Sequence, residues 1–238
     1  MRVLAGLMMA LALAGCMAPA PSQAPHQSAP AGVGTSVAAK LSAQRAAKQF
    51  VEVVKTVEPV AEQECRARTT GANCDFQIVV DDRPGQPSNA YQTLDKSGRP
   101  VIAFTLALIA DVRNADELAF VMGHETAHHI AGHIARQQEN AAAGAVIFAG
   151  LAVLTGADES GVQTAQELGA AVGARSYSKE YELEADALGT IITRKAGYDP
   201  VIGAAFFTRI PDPGDRFLGT HPPNASRIET VRRVDASM

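Results

Sequence analysis

Tryptophan is absent from this sequence and aromatic residues make up only 5% of it. Alanine, by contrast, is plentiful, a balance that argues for helices over an all-β domain. No basic block stands out, and 21 Lys and Arg face 25 Asp and Glu for a net charge of −4. The footprint of a nucleic-acid partner is therefore missing. Two apolar runs, residues 3–14 and 141–154, both fall short of the roughly 20 residues that a membrane-spanning helix needs. Cysteine is limited to Cys16, Cys65 and Cys74. What is present, 47% hydrophobic residues in a chain of 238, suffices for one packed domain with short appendages.

The first of the apolar runs follows a basic start, Met1-Arg2, and ends in the small residues Ala14-Gly15. That order describes a secretory signal. Leu13-Ala14-Gly15-Cys16 resembles the lipobox of bacterial lipoproteins, in which the cysteine is lipidated and becomes the mature N-terminus. An ordinary signal peptide with a chance cysteine is the alternative. Stable anchoring needs more than one acyl chain, so the lipidated form is expected at a membrane. Met17 offers no obvious inner-membrane retention signal, which favours the outer membrane, facing the periplasm. Export would place Cys65 and Cys74 in an oxidising compartment, where a disulfide between them is expected. Three segments follow: a signal peptide over 1–16, a flexible Ala, Pro and Ser-rich linker over 17–36, and a domain over 37–238.

Residues 37–68 carry a helical pattern, with Pro59 as a point of kinking or restart. Residues 76–80 alternate and are β-rich, and residues 89–94 and 100–105 make two further strands around the turn Lys96-Ser97-Gly98-Arg99. Asn114 and Glu117 form the start of a capped helix along which Leu118, Val121, Met122 and Ile130 recur. Residues 141–154 read as a buried or partly buried helix, or alternatively as a membrane-facing or gating segment. Residues 155–161 read as a loop, and residues 178–195 as a helix stopped by Gly197 and Pro200.

The chemistry lies in His124-Glu125-Thr126-Ala127-His128. Positions four apart share one helix face, so two imidazoles can hold one metal ion. Neutral imidazole suits zinc. Glu125, one position round, suits a general base that takes a proton from a water acidified by the metal. His129 points about 100° away from His128, and His133 lies more than a turn beyond, so neither is expected to be a ligand. A catalytic zinc takes three protein ligands and leaves one position open. Two pairs on the 178–195 helix offer the third: Glu182 with Asp186, and Glu180 with Glu184. Spacing alone does not choose between them, and an acidic helix start would also satisfy the helix dipole.

The pieces H-E-T-A-H, E-L-E-A-D and H-P-P-N-A-S-R, in this order, resemble the M48 family of zinc metallopeptidases. Asn89-Ala90-Tyr91 is similar to that family's Asn-Ala-aromatic strand. The resemblance implies Glu182 as the third ligand to one zinc per chain, with Asp186 accepting a hydrogen bond from a ligand histidine. It implies that His221 stands near the metal, to stabilise the oxyanion or to act as a latent fourth ligand. Arg227 would orient carboxylates or substrate. The expected fold is α+β and zincin-like, mainly helical, with a small sheet bordering the cleft and an edge strand near Asn89, Ala90 and Tyr91 to pair with substrate backbone. The expected activity is endopeptidic, on misfolded or unassembled envelope polypeptides. A chaperone-like assembly factor using a latent peptidase fold, within envelope assembly machinery, is the rival.

Overall fold

The computed structural model describes residues 33–238, with side chains from Ser42 onward. Cys16, the signal segment and most of the linker lie outside the described residues. The first helix, α1 (Val33–Arg68), starts four residues before the expected position and runs on through Pro59 without restarting. Its inner face supplies Val53, Val57, Ala61 and Cys65, none more than 1% exposed.

The sheet has three strands, β1 (Gln77–Asp81), β2 (Ala90–Leu94) and β3 (Pro100–Thr105), in the order β1-β3-β2. The expected hairpin is present, since β2 runs antiparallel to β3. β1 joins the other side of β3 in parallel. Its centre is the most apolar strand, with Ile102, Ala103 and Phe104 buried, as befits a strand covered on both sides. β2 is an edge. Thr105 fixes its start: the hydroxyl accepts from Asn89 N at 3.0 Å and caps the short α2 (Leu106–Asp111) by accepting from Leu108 N.

Helix α3 (Ala115–Ile130) opens as the sequence predicts, with Asn114 Oδ1 accepting from Glu117 N at 2.8 Å. Glu117 does not complete the reciprocal box on Asn114. Its carboxylate accepts from Arg113 N and pairs with Arg209, so a buried charge is matched. Ten of the sixteen residues of α3 are buried, which makes it the central helix. It packs on α1, the sheet, α6 (Ser178–Lys195) and α7 (Pro200–Ala204). The chain ends in α8 (Asn224–Asp235), packed on α6 and α7.

One expectation needs correction in the interval between α3 and α6. Residues 155–161 are not all loop, because Asp158 caps a helix, α5 (Glu159–Arg175), which the weakly patterned sequence there did not announce. The apolar run 141–154 is helical and partly buried, as the first of its two readings held, with Ala141, Gly144, Ala145, Phe148, Ala149 and Ala152 partly covered. It belongs to α4 (His133–Leu154), whose one buried residue is His133. α4 and α5 pair closely with each other through glycine: a Cβ at Gly144 would meet Gly169 O at 2.1 Å, and one at Gly173 would meet Asn140 O at 2.0 Å. Val146, Ile147, Leu151 and Leu154 of α4 are nonetheless between 55% and 84% exposed. Among the described residues no helix is long and apolar enough to cross a membrane.

Cys65 and Cys74 are joined by a disulfide that closes a separation of nine residues. It pins the segment entering β1 to the end of α1. His129 uses the same segment, donating from Nε2 to Asn73 O at 2.8 Å and packing edge-on against Phe76. The C65S/C74S variant is expected to lose about 2–3 kcal/mol of unfolding free energy, measured by urea denaturation. Reductant should shift the wild-type midpoint by a similar amount and leave the variant's unchanged.

Candidate active site

The site forms where α3 and α6 cross. A Cβ on Gly123 would lie 2.8 Å from Gly189 O, and one on Gly189 would lie 2.8 Å from His124 N. Two backbones in contact bring His124 and His128 of α3 opposite Glu182 and Asp186 of α6. His124, His128 and Glu182 line one wall of a cleft of about 660 Å³. Glu125 also lines it, as do Asn89, Ala90 and Tyr91 of the β2 edge and His221 on the loop before α8.

Three donor atoms converge. His124 Nε2 and His128 Nε2 are 3.0 Å apart, and the Glu182 carboxylate lies 3.6 Å from the first and 3.4 Å from the second. Ligand bonds of roughly 2.0–2.1 Å around a tetrahedral ion imply donor separations of about 3.3 Å, which these distances bracket. They are the described group of His, Cys, Asp and Glu residues arranged to hold a metal. The chemistry agrees: two imidazole nitrogens and a carboxylate at this separation present acceptors to one another and call for a cation. Burial and Arg227 push His124 down, but hydrogen bonds to Asp186 and Glu182 outweigh them and raise it to about 9. Burial opposes the charge on Glu182, yet hydrogen bonds from His124, His128 and His221 hold its pKa well below the ordinary carboxylate value.

Behind the ligand cluster sits a buried polar set. His124 Nδ1 lies 2.9 Å from Asp186 Oδ1, and Asp186 is fully buried. Burial would raise the Asp186 pKa, but the Arg227 guanidinium and His124 lower it. Arg227 donates to both Asp186 oxygens at 2.7 Å and stacks over Phe207 at 3.9 Å. Of the two pairs that helix spacing left open, Glu182 and Asp186 are the carboxylates that face His124 and His128. Glu184 has another partner: it accepts from Arg136 at 2.8 Å and lies 3.2 Å from His133 Nε2.

His221 Nδ1 lies 3.2 Å from Glu182 Oε2 while more than half of its side chain stays exposed. Tyr91 is tied across the sheet, its hydroxyl donating to Asp81 at 3.2 Å. The two other histidines nearby stand outside the three converging donors. His129 faces the β1 side and stays away from the cleft, as a 100° rotation requires. His133, set aside as too far along, comes back to the site. Gly132 adopts a left-handed conformation (φ 68°) that ends α3 and starts α4, so the helical count between 128 and 133 does not apply. The signal for this was in the sequence as the glycine itself. Burial pushes His133 down to about 4 in spite of Glu184.

A helix pair presenting two histidines and a glutamate into a cleft bordered by a sheet edge defines a metallopeptidase of zincin-like fold. The family model for Peptidase family M48 matches residues 47–235, and the chain belongs to that family, whose members are generally zinc-dependent. Among curated proteins it is 33% identical over 145 residues to a putative beta-barrel assembly-enhancing protease of Vibrio cholerae, covering 55% of this chain and 30% of that protein. It is 30% identical over 141 residues to a beta-barrel assembly-enhancing protease of Escherichia coli O157:H7, covering 50% and 27%. A mitochondrial metalloendopeptidase of Arabidopsis thaliana is 28% identical over 139 residues, covering 57% and 27%. The matched region thus spans less than a third of the length of these relatives.

The glycine contact gives a direct test. Gly189→Ala is expected to cost about 1–3 kcal/mol through overpacking and to weaken zinc uptake. Gly150→Ala, where nothing lies within 4 Å of the added carbon, should do neither. Thermal unfolding and zinc titration of both variants read the difference.

Proposed function

We propose that the chain is a zinc endopeptidase that hydrolyses misfolded or unassembled polypeptides of the cell envelope. The observation that carries this reading is the convergence of His124, His128 and Glu182 beside Glu125 in an open cleft. These three side chains would hold one zinc ion. When bound, it lends Lewis acidity to a water and to the scissile carbonyl. Glu125 accepts a proton from that water as its oxygen adds to the carbonyl carbon. The C–N bond then breaks, and Glu125 returns the proton to the leaving amine. Asp186 holds the His124 ring by its Nδ1–H, and Arg227 holds Asp186. His221, exposed at the cleft wall, supplies a hydrogen bond to the oxyanion.

The open edge of β2 at Asn89, Ala90 and Tyr91 pairs with the backbone of an extended substrate. Main-chain pairing favours unfolded segments and demands little sequence specificity. The names of the bacterial relatives support an envelope setting with a link to beta-barrel assembly. The lipobox-like segment ending in Cys16 supports tethering to the outer membrane from the periplasmic side.

A second reading rests on the 3.2 Å approach of His221 to Glu182. In that reading His221 is a fourth ligand that keeps the site latent, and the cleft serves as a chaperone-like groove. His221→Ala separates the two: casein cleavage falls if the histidine stabilises the oxyanion and rises if it holds the site closed.

Glu125→Gln is expected to bind zinc at one per chain, like the wild type, and to lose about 10²–10⁴-fold in casein cleavage. Equal cleavage by the two would overturn the peptidase mechanism. Cys16→Ser is expected to move the protein from the membrane fraction to the soluble fraction, read by fractionation of expressing cells.

A further inference from the structure

A histidine bound to metal through Nε2 must carry its proton on Nδ1, and that proton needs an acceptor. For His124 the acceptor is the Asp186 carboxylate. For His128 it is a different kind of group. The atom 2.8 Å from His128 Nδ1 is the Nδ1 of His133. If His128 donates, His133 Nδ1 accepts, and the proton of His133 belongs on Nε2. That nitrogen faces Glu184 Oε2 at 3.2 Å, and Glu184 is itself held by Arg136 at 2.8 Å. Each proton in the row Glu184–His133–His128 then has one direction.

The geometry points to His133 as a positioning residue that fixes the tautomer and ring orientation of His128, with Glu184 fixing His133 in turn. This rests on the reading of His128 as a zinc ligand. His133 is itself locked in place. It is 5% exposed and its ring is stacked on Tyr181 at 4.6 Å, with planes 16° apart. Asn140 donates to the Tyr181 hydroxyl at 2.7 Å. Tyr181 and Glu184 belong to α6, the helix that supplies Glu182, so one helix provides a ligand and sets the orientation of another. A carboxylate orients one ligand histidine and a relay imidazole the other.

The test compares variants of the full domain by competition of metal-free protein with a zinc chelator, with thermal unfolding measured alongside. His133→Phe keeps an aromatic ring against Tyr181 and removes the acceptor. Zinc affinity is expected to fall about 10–100-fold. His133→Asn puts an amide oxygen where Nδ1 stood and is expected to bind zinc more tightly than His133→Phe. A merely structural role would damage both alike. If His133→Phe does not fold, His133→Gln, whose amide reaches the Nε2 position, takes its place in the comparison. Asparagine and its comparator binding zinc equally would overturn the inference alone. A wild-type chain that takes up no zinc would overturn the ligand reading, and this inference with it.

Discussion

At the crossing of Gly123 and Gly189 two helices touch backbone to backbone, and the whole site hangs on that separation. A residue with a side chain at either position would place a carbon within 2.8 Å of main-chain atoms of the other helix. Rigid helices cannot absorb such a contact locally, so they would move apart as units. His124 immediately follows Gly123, and Glu182 lies two turns before Gly189. The 3.0–3.6 Å separations among the donor atoms are thus the direct product of having hydrogen in place of a methyl group at two positions. Thr193 reinforces the crossing, bonding to Gly189 O at 2.7 Å and reaching toward Ala119 O at 3.4 Å.

Charge is the second constraint. Glu182, Asp186, Arg227 and His124 are all buried or nearly so, an arrangement that would be costly for any one alone. Each is matched: the guanidinium bridges both oxygens of Asp186, Asp186 receives His124, and Glu182 faces the histidines. The guanidinium of Arg227 comes from α8, which explains how a helix remote in sequence takes part in the geometry of α3. Fixed partners on every polar atom leave the ligand rings little freedom, so the site is organised before any substrate arrives.

Much of this was legible beforehand because it obeys simple periods. The α3 cap, the spacing of His124 and His128, the hairpin of β2 with β3 and the span of α6 follow from periodicities of 3.6 and 2. What escaped is physical in origin. The approach of His133 to His128 was not foreseen, because a single left-handed glycine resets the helical phase. Glu184 and Glu182 are equivalent by spacing, and only the tertiary position of α3 distinguishes them. Helix α5 has a weak apolar pattern because glycine and alanine, not large side chains, make its contact with α4. Arg227 lies 41 residues from Asp186; no local pattern reports such a pairing, and the expectation that Arg227 orients carboxylates came from the family resemblance alone.

Four large apolar side chains of α4 are mostly wet in the folded chain as they are in the unfolded one, so they contribute little to the free energy of folding. Composition along Val146, Ile147, Leu151 and Leu154 is therefore released from the packing rules that govern the rest of the domain. Phe148, one position on, is not released, because its Cβ bears directly on Gly169. Along a single helix, neighbouring residues answer to two different pressures: some to shape, others to solubility and to whatever meets that surface. Drift should be fast at the first four positions and nearly frozen at Phe148.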